Sequence, residues 1–125
     1  MDLYNVPQNE NKMRIIQEMV PGKQVTIAHV IANPDEVLYK KLGMEQEGDY
    51  QRAAIGILTV TPSETAIIAS DIAMKAAGVE LGFVDRFSGT VIVTGTVSQV
   101  EAALRAVLEY SEQKLGFTVC GITKT

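Results

Sequence analysis

AIGILTVTPSETAIIASDIAMKAAGV, residues 54–79, is the stretch whose reading decides the fold. Its opening, AIGILTV (54–60), is an apolar run of strand length and reads as a buried strand. Thr61-Pro62-Ser63-Glu64 then has the form of a capping box with proline at the first helical position. The helix it announces runs to about Ala77, where Gly78 ends it. Its inner positions are small, namely Ala66, Ala69, Ala73, Ala76 and Ala77, so it can lie close against a sheet.

Beyond this unit, VELGFV (79–84) and TVIVT (90–94) read as strands joined by the turn Asp85-Arg86-Phe87-Ser88-Gly89. Ser98 and Glu101 form a second capping box, opening a helix to about Lys114. Val97, Val100, Leu104, Val107 and Leu108 give that helix one apolar stripe. Gly116 stops it, and FTVCGIT (117–123) is a last strand. From residue 54 the order is strand, helix, strand, strand, helix, strand. That is the α+β, ferredoxin-like arrangement: an antiparallel sheet with helices on one face.

Upstream, QVTIAHVI (24–31) is a strand rich in β-branched residues. NPDEVLYKKLG (33–43) is a short helix, with Asn33 as cap, Pro34 at its start, acidic Asp35 and Glu36 first, Lys40 and Lys41 last, and Gly43 closing it. Residues 44–52 form a polar loop. Two segments, QVTIAHVI and FTVCGIT, compete for the last position of the core sheet. Residues 1–12 read as a flexible arm. Residues 13–20 alternate as a strand, with Met13, Ile15, Gln17 and Met19 on one side and Arg14, Ile16, Glu18 and Val20 on the other; Pro21-Gly22 ends it. No partner for this strand is evident in its own chain.

The 125 residues suit one domain, 46% of them apolar and 21% charged. A net charge of −4 without clustered Lys or Arg argues against a nucleic-acid partner. The apolar runs are too short and interrupted to span a membrane, and no signal peptide opens the chain. One cysteine allows no internal disulfide and fits a reducing cytoplasm. One histidine and one cysteine make a metal site improbable, and no cofactor is expected. His29 lies among apolar neighbours and reads as packed or hydrogen-bonded. Cys120, in the final strand, reads as a buried, inert thiol. Ser63 and Glu64 are absorbed by capping, and no glycine pattern makes a phosphate loop. Nothing here assembles a catalytic centre, so an enzyme is not expected. Asp71 and Lys75, four apart on a helix, make at least a surface ion pair.

The run Asp71-Ile-Ala-Met-Lys75-Ala76-Ala77-Gly-Val79 resembles the helix signature D-x-x-x-K-A-A-x-V of bacterial microcompartment shell proteins. TVIVTGTVSQVEAAL resembles that family's third strand and second helix. QVTIAHVIANPDEVLYKKL resembles the strand and helix that close an ordinary shell domain, yet here it stands at the front. With RIIQEMVPGKQVT, TPSETAIIA and GFVDRFSG, the span from about Arg14 to Thr125 resembles the circularly permuted hexameric shell proteins of ethanolamine and propanediol utilisation.

The resemblance implies a structural protein of the bacterial cytoplasm. Its homohexamers would tile with one another and with other shell proteins around enclosed enzymes. It makes Lys75 the residue at the hexamer–hexamer edge, with Asp71 and Asn33 beside that contact; Asn33 stands where ordinary members often carry arginine. It sets the turn Asp85, Arg86, Phe87, Ser88 and Gly89 around the hexamer axis, bulkier and more charged than the small residues usual there. It divides the chain into the arm 1–12, a barrel-forming strand 13–22 and a shell domain 23–125. Six copies of the strand would close a small parallel β-barrel that caps the axis, with Met13, Ile15 and Met19 inside or, in the reverse facing, Arg14 and Glu18. The alternative is a small-molecule regulatory module on a ferredoxin-like oligomeric scaffold, although no convergent polar set or glycine-rich ligand loop supports it.

Overall fold

The computed structural model describes residues 22–44 and 53–125. The arm 1–12, nearly all of the strand 13–22 and most of the polar loop 44–52 lie outside the described residues. The elements are β1 (Gln24–Ile31), α1 (Glu36–Leu42), β2 (Ala54–Thr61), α2 (Thr65–Ala77), β3 (Glu80–Asp85), β4 (Thr90–Gly95), α3 (Val97–Gln113), β5 (Thr118–Val119) and β6 (Thr123–Lys124).

The sheet runs β3-β4-β2-β1-β5, with β6 also on β1. The β1–β2, β2–β4 and β3–β4 pairs are antiparallel, as a split βαβ unit requires. β1 therefore fills the fourth position of that unit, although it precedes the other three in the chain. The competition between the two terminal segments is resolved in its favour. In place of one strand over FTVCGIT (117–123), the C-terminal segment contributes only the short β5 and β6, the latter extending to Lys124, both parallel to the free side of β1.

Alternation along the strands divides the core in two. Ala54, Leu58 and Val60 of β2 and Val91 and Val93 of β4 face α2 and α3. Ile55, Ile57 and Ile92 face the other way and pack with Leu38 and Tyr39 of α1 and with Met44. Helices thus cover both faces: the two long ones lie on one side and the short α1 on the other. β1 obeys strict alternation only after a bulge between Val25 and Ile27. The extra residue lets Val25, Ala28 and Val30 all enter the α2/α3 side, leaves Ile27 exposed, and sends Ile31 to the α1 side.

Three helix starts differ from expectation. α1 is capped by Asp35 rather than Asn33: the Asp35 carboxylate accepts from the Val37 amide at 2.9 Å. Pro34 therefore precedes the cap, where its restricted backbone suits the extended approach. α2 has no side-chain cap, so Thr61-Pro62-Ser63-Glu64 is not a capping box. The Thr65, Ala66 and Ile67 amides instead donate to the Pro62, Ser63 and Glu64 carbonyls, a tight turn leading into the helix. α3 is capped two residues early, by Thr96 with Gln99. TVSQVE contains two overlapping boxes, and the first wins because Thr96 has the extended backbone of a cap. Glu101 is thereby free to accept from Lys124 at 2.9 Å, tying β6 to α3.

α2 lies on the sheet through Ala66, Ala69 and Ala73, all nearly inaccessible; Ala76, expected among them, is exposed. α3 comes closest to β2 at Gly56, where an added Cβ would stand 2.6 Å from Val100 Cγ1. Val100 is fully buried and β-branched, so it cannot swing aside cheaply. Gly56→Ala should therefore cost about 1–3 kcal/mol of stability, read as a lower thermal unfolding midpoint. Val100→Ala in the same chain should recover part of that loss.

Candidate functional site

Asp71 and Lys75 sit one turn apart on the outer side of α2, and Lys75 Nζ lies 2.9 Å from Asp71 Oδ2. Both side chains are largely exposed, at 76% for Lys75 and 58% for Asp71. Their attraction is screened by water and contributes little to folding. What the pair does is place a long cation on the exposed side of the helix. Asn33 is exposed in the connection between β1 and α1.

The β3–β4 turn is the second surface feature. Asp85 Oδ1 accepts from the Phe87 amide at 2.9 Å, and the Gly89 amide donates to the Asp85 carbonyl at 2.8 Å. Ser88 Oγ donates to Thr90 Oγ1 at 3.1 Å. The turn is then fastened to the sheet by the Val60 amide, which donates to the Gly89 carbonyl at 2.9 Å. Gly89 has φ +80°, and a Cβ there would lie 2.1 Å from the Val60 carbonyl oxygen, so only glycine fits. The Phe87 amide, with Ser88 assisting, holds the Asp85 carboxyl below the usual carboxylate range.

On this braced turn Phe87 is 80% exposed, the most exposed large apolar side chain among the described residues. The Arg86 guanidinium carbon lies 5.0 Å from the centre of the Phe87 ring, a cation–π contact. Beside them is an open cavity of about 310 Å³ lined by Ile67, Val84, Asp85, Arg86 and Phe87. Ile67 and Val84 escaped the sequence reading. The signal was present in Ile67-Ile68, which stands off the alanine face of α2.

The remaining candidates are accounted for locally. The two ring nitrogens of His29 lie 2.6 Å from Thr123 Oγ1 and 3.0 Å from Thr125 Oγ1. Both ring nitrogens are thus engaged, and the histidine clasps the C-terminal strand to β1. Cys120 is half-buried between β5 and β6, and burial raises the thiol pKa, the reverse of what a nucleophile needs. Among the described residues, no group of three His, Cys, Asp or Glu side chains is placed to hold a metal ion. No described helix is long and apolar enough to cross a membrane.

Comparison with known proteins gives these surfaces their setting. The BMC domain family profile matches residues 54–122, the segment from β2 to the edge of β6. The chain belongs to the BMC domain family. EutS, a bacterial microcompartment shell protein of Salmonella typhimurium, is 56% identical over 115 residues, covering 92% of this chain and 99% of that protein. The shell protein PduU of the same organism is 56% identical over 112 residues, covering 90% and 93%. A solved flat hexamer of CutR superposes with a TM-score of 0.78 at 51% identity, covering 90% of this chain and 99% of that one. As a BMC-domain shell protein the chain is structural and not an enzyme. The match also explains the strand order: β1 and α1, outside the profile's range, complete the BMC sheet from the front of the chain.

Because Asp85 titrates low in the folded turn, its contribution is complete above the ordinary carboxylate range and fades as pH falls through its own lower value. Asp85→Ala should therefore speed hydrogen exchange at the Phe87 amide at neutral pH without changing the circular dichroism spectrum. In the parent chain the same loss of protection, relative to an unprotected amide at the same pH, should appear only below the ordinary carboxylate range.

Proposed function

We propose that this chain is the subunit of a cyclic homohexamer that tiles, with its own copies and with other shell proteins, into the facet of a cytoplasmic microcompartment around enclosed enzymes. The observation that carries this reading is its likeness to the CutR flat hexamer over nine-tenths or more of both chains. A BMC monomer with a hexameric relative also has a use for its apolar exposure: Leu81, Phe83 and Val84 of β3 and Ile67 and Ile68 of α2 are all exposed large side chains. Light scattering coupled to size exclusion should give the mass of six subunits, and electron microscopy of overexpressing cells should reveal sheets or tubes. A stable monomer or dimer overturns the reading.

Within that assembly, Lys75 lies across the join between neighbouring hexamers, oriented by Asp71 and accompanied by Asn33. Tiling repeats the same join around every hexamer, so one wrong charge acts at each of them. Lys75→Asp should leave the hexamer mass unchanged and abolish sheets in the electron microscope. Sheets that persist would reduce Lys75 to a solvated partner of Asp71.

The turn Asp85–Gly89 surrounds the hexamer axis, and residues 13–22 pair between subunits as a small β-barrel over it. Met13, Ile15, Gln17 and Met19 form one wall of that barrel. A closed barrel would satisfy a strand for which the sequence offers no evident partner and would leave no edge exposed. Deleting residues 1–22 should preserve the hexamer and open its centre in averaged images. Loss of folding would assign the strand to the core.

A further inference from the structure

We propose that residues 123–125 form a clasp that opens, and that the edge of β1 it releases pairs with the same edge of a second copy of this chain. This contact lies at the sealed side of the sheet and is independent of the hexameric reading above.

The seal over β1 consists of two unequal staples. At the first, the Thr118 and Cys120 amides donate to the Lys23 and Val25 carbonyls at 2.9 and 3.1 Å. Phe117, Val119, Cys120 and Ile122 pack against the main core there, so apolar burial holds this staple down. At the second, the Thr125 amide donates to the Val30 carbonyl and the Ala32 amide to the Thr125 carbonyl, both at 2.9 Å. Residues 123–125 add no side chain to either apolar cluster. Thr123 and Lys124 are exposed, and polar contacts alone hold them: His29 on the two threonine hydroxyls, and Lys124 on Glu101. Exposed contacts of this kind each contribute little, so the second staple is the part of the seal that opens.

The strand beneath it has no defence of its own. Gln24–Ile31 contains no Lys, Arg, Asp, Glu, Pro or Gly, and Val25, Thr26, Ile27, Val30 and Ile31 are β-branched. Such a strand pairs readily, and no side-chain carboxylate, ammonium or guanidinium on it repels a copy of itself. Between the staples, Thr26, Ile27 and Ala28 have no ladder partner on this side, and Ile27 is 47% exposed.

The opposite edge of the sheet is protected differently. β3 carries Glu80 and Asp85, and its register shifts between Leu81 and Phe83, around Gly82. Charge and a bulge blunt that edge without any cover. The edge of β1 depends on a removable strand instead, and becomes a pairing surface when that strand leaves. The same uncharged strand of a second copy matches it about a twofold axis as an antiparallel ladder, and gives Ile27 a cross-strand neighbour on its bare side.

The clasp can be opened in two independent ways in the full chain. His29→Val removes both hydroxyl contacts. Lys124→Glu sets two carboxylates against each other, and Glu101→Lys added to it restores an ion pair of reversed sign. None of these side chains is fully buried, and circular dichroism checks that the fold is kept. Hydrogen exchange at the Ala32 amide reports opening, and sedimentation velocity reports association. Each opening variant should speed exchange at Ala32 about fivefold or more. Each should also give species heavier than the parent chain's own assembly, growing with concentration. The reversed pair should return both readouts to the parent values. Ile27→Lys, added to either opening variant, should abolish the heavier species while Ala32 still exchanges fast, because a charge on the bare edge repels its copy. Parent-like exchange in either opening variant overturns the clasp. Fast exchange without heavier species, or heavier species that survive Ile27→Lys, overturns the pairing. Every variant is compared with the parent chain at its own mass, so a parent that forms no hexamer overturns the hexameric reading alone.

Discussion

The pairing of β1 with β2 is the constraint on which the rest of this structure depends. β2 is central: it pairs with β4 on one side and needs a second antiparallel neighbour on the other. That neighbour comes from the front of the chain. Once β1 is in place, its own outer edge would be bare, and the C-terminal segment covers it with β5 and β6. The two ends of the described chain are thereby drawn together. His29 clasps Thr123 and Thr125, while Glu101 holds Lys124. Circular permutation costs the sheet nothing, because strand pairing depends on register and facing and not on the order of synthesis.

The opposite edge of the sheet is left differently. β3 has five consecutive exposed residues, Glu80 to Val84, and no neighbour beyond it among the described residues. Next to it are the isoleucines of α2 and the braced turn that carries Arg86 and Phe87. A lone subunit has no reason to hold so much apolar surface in water; a subunit of a ring does. The economy of the fold is thus divided between its two edges. One is sealed within the chain by the C-terminal strands, and the other is kept open, ordered and apolar. Lys75 belongs to neither edge. It sits on the outer side of α2, where Asp71 presents it to whatever lies beyond the subunit.

Much of the architecture was legible as pattern. AIGILTV, TVIVT and the alanine face of α2 each carried their own periodicity, and glycines marked the helix ends. The helix starts were less legible, because capping boxes in short polar segments overlap. TVSQVE offers two boxes, and NPD offers two caps one residue apart from a proline. Which one operates depends on where the preceding strand ends, and that is set by the sheet. For the same reason the β1 bulge was not visible: QVTIAHVI alternates well enough by itself, and only the register against β2 shows which residues must share a face.

The sequence by itself determined the domain type, the permuted order of its parts, and the residues worth watching at its surface: Lys75 with Asp71, and the turn from Asp85 to Gly89. It could do so because these features are local in the chain, as periodic runs, four-residue spacings and a short motif. Only the tertiary structure decided which terminal segment completes the sheet, that helices cover both faces, and that Phe87 is exposed beside an open cavity lined by Ile67 and Val84. Those outcomes depend on pairs of residues far apart in sequence. Ile67 meets the β3–β4 turn, Gly89 lies under Val60, and Thr123 reaches His29, none of which any local pattern encodes.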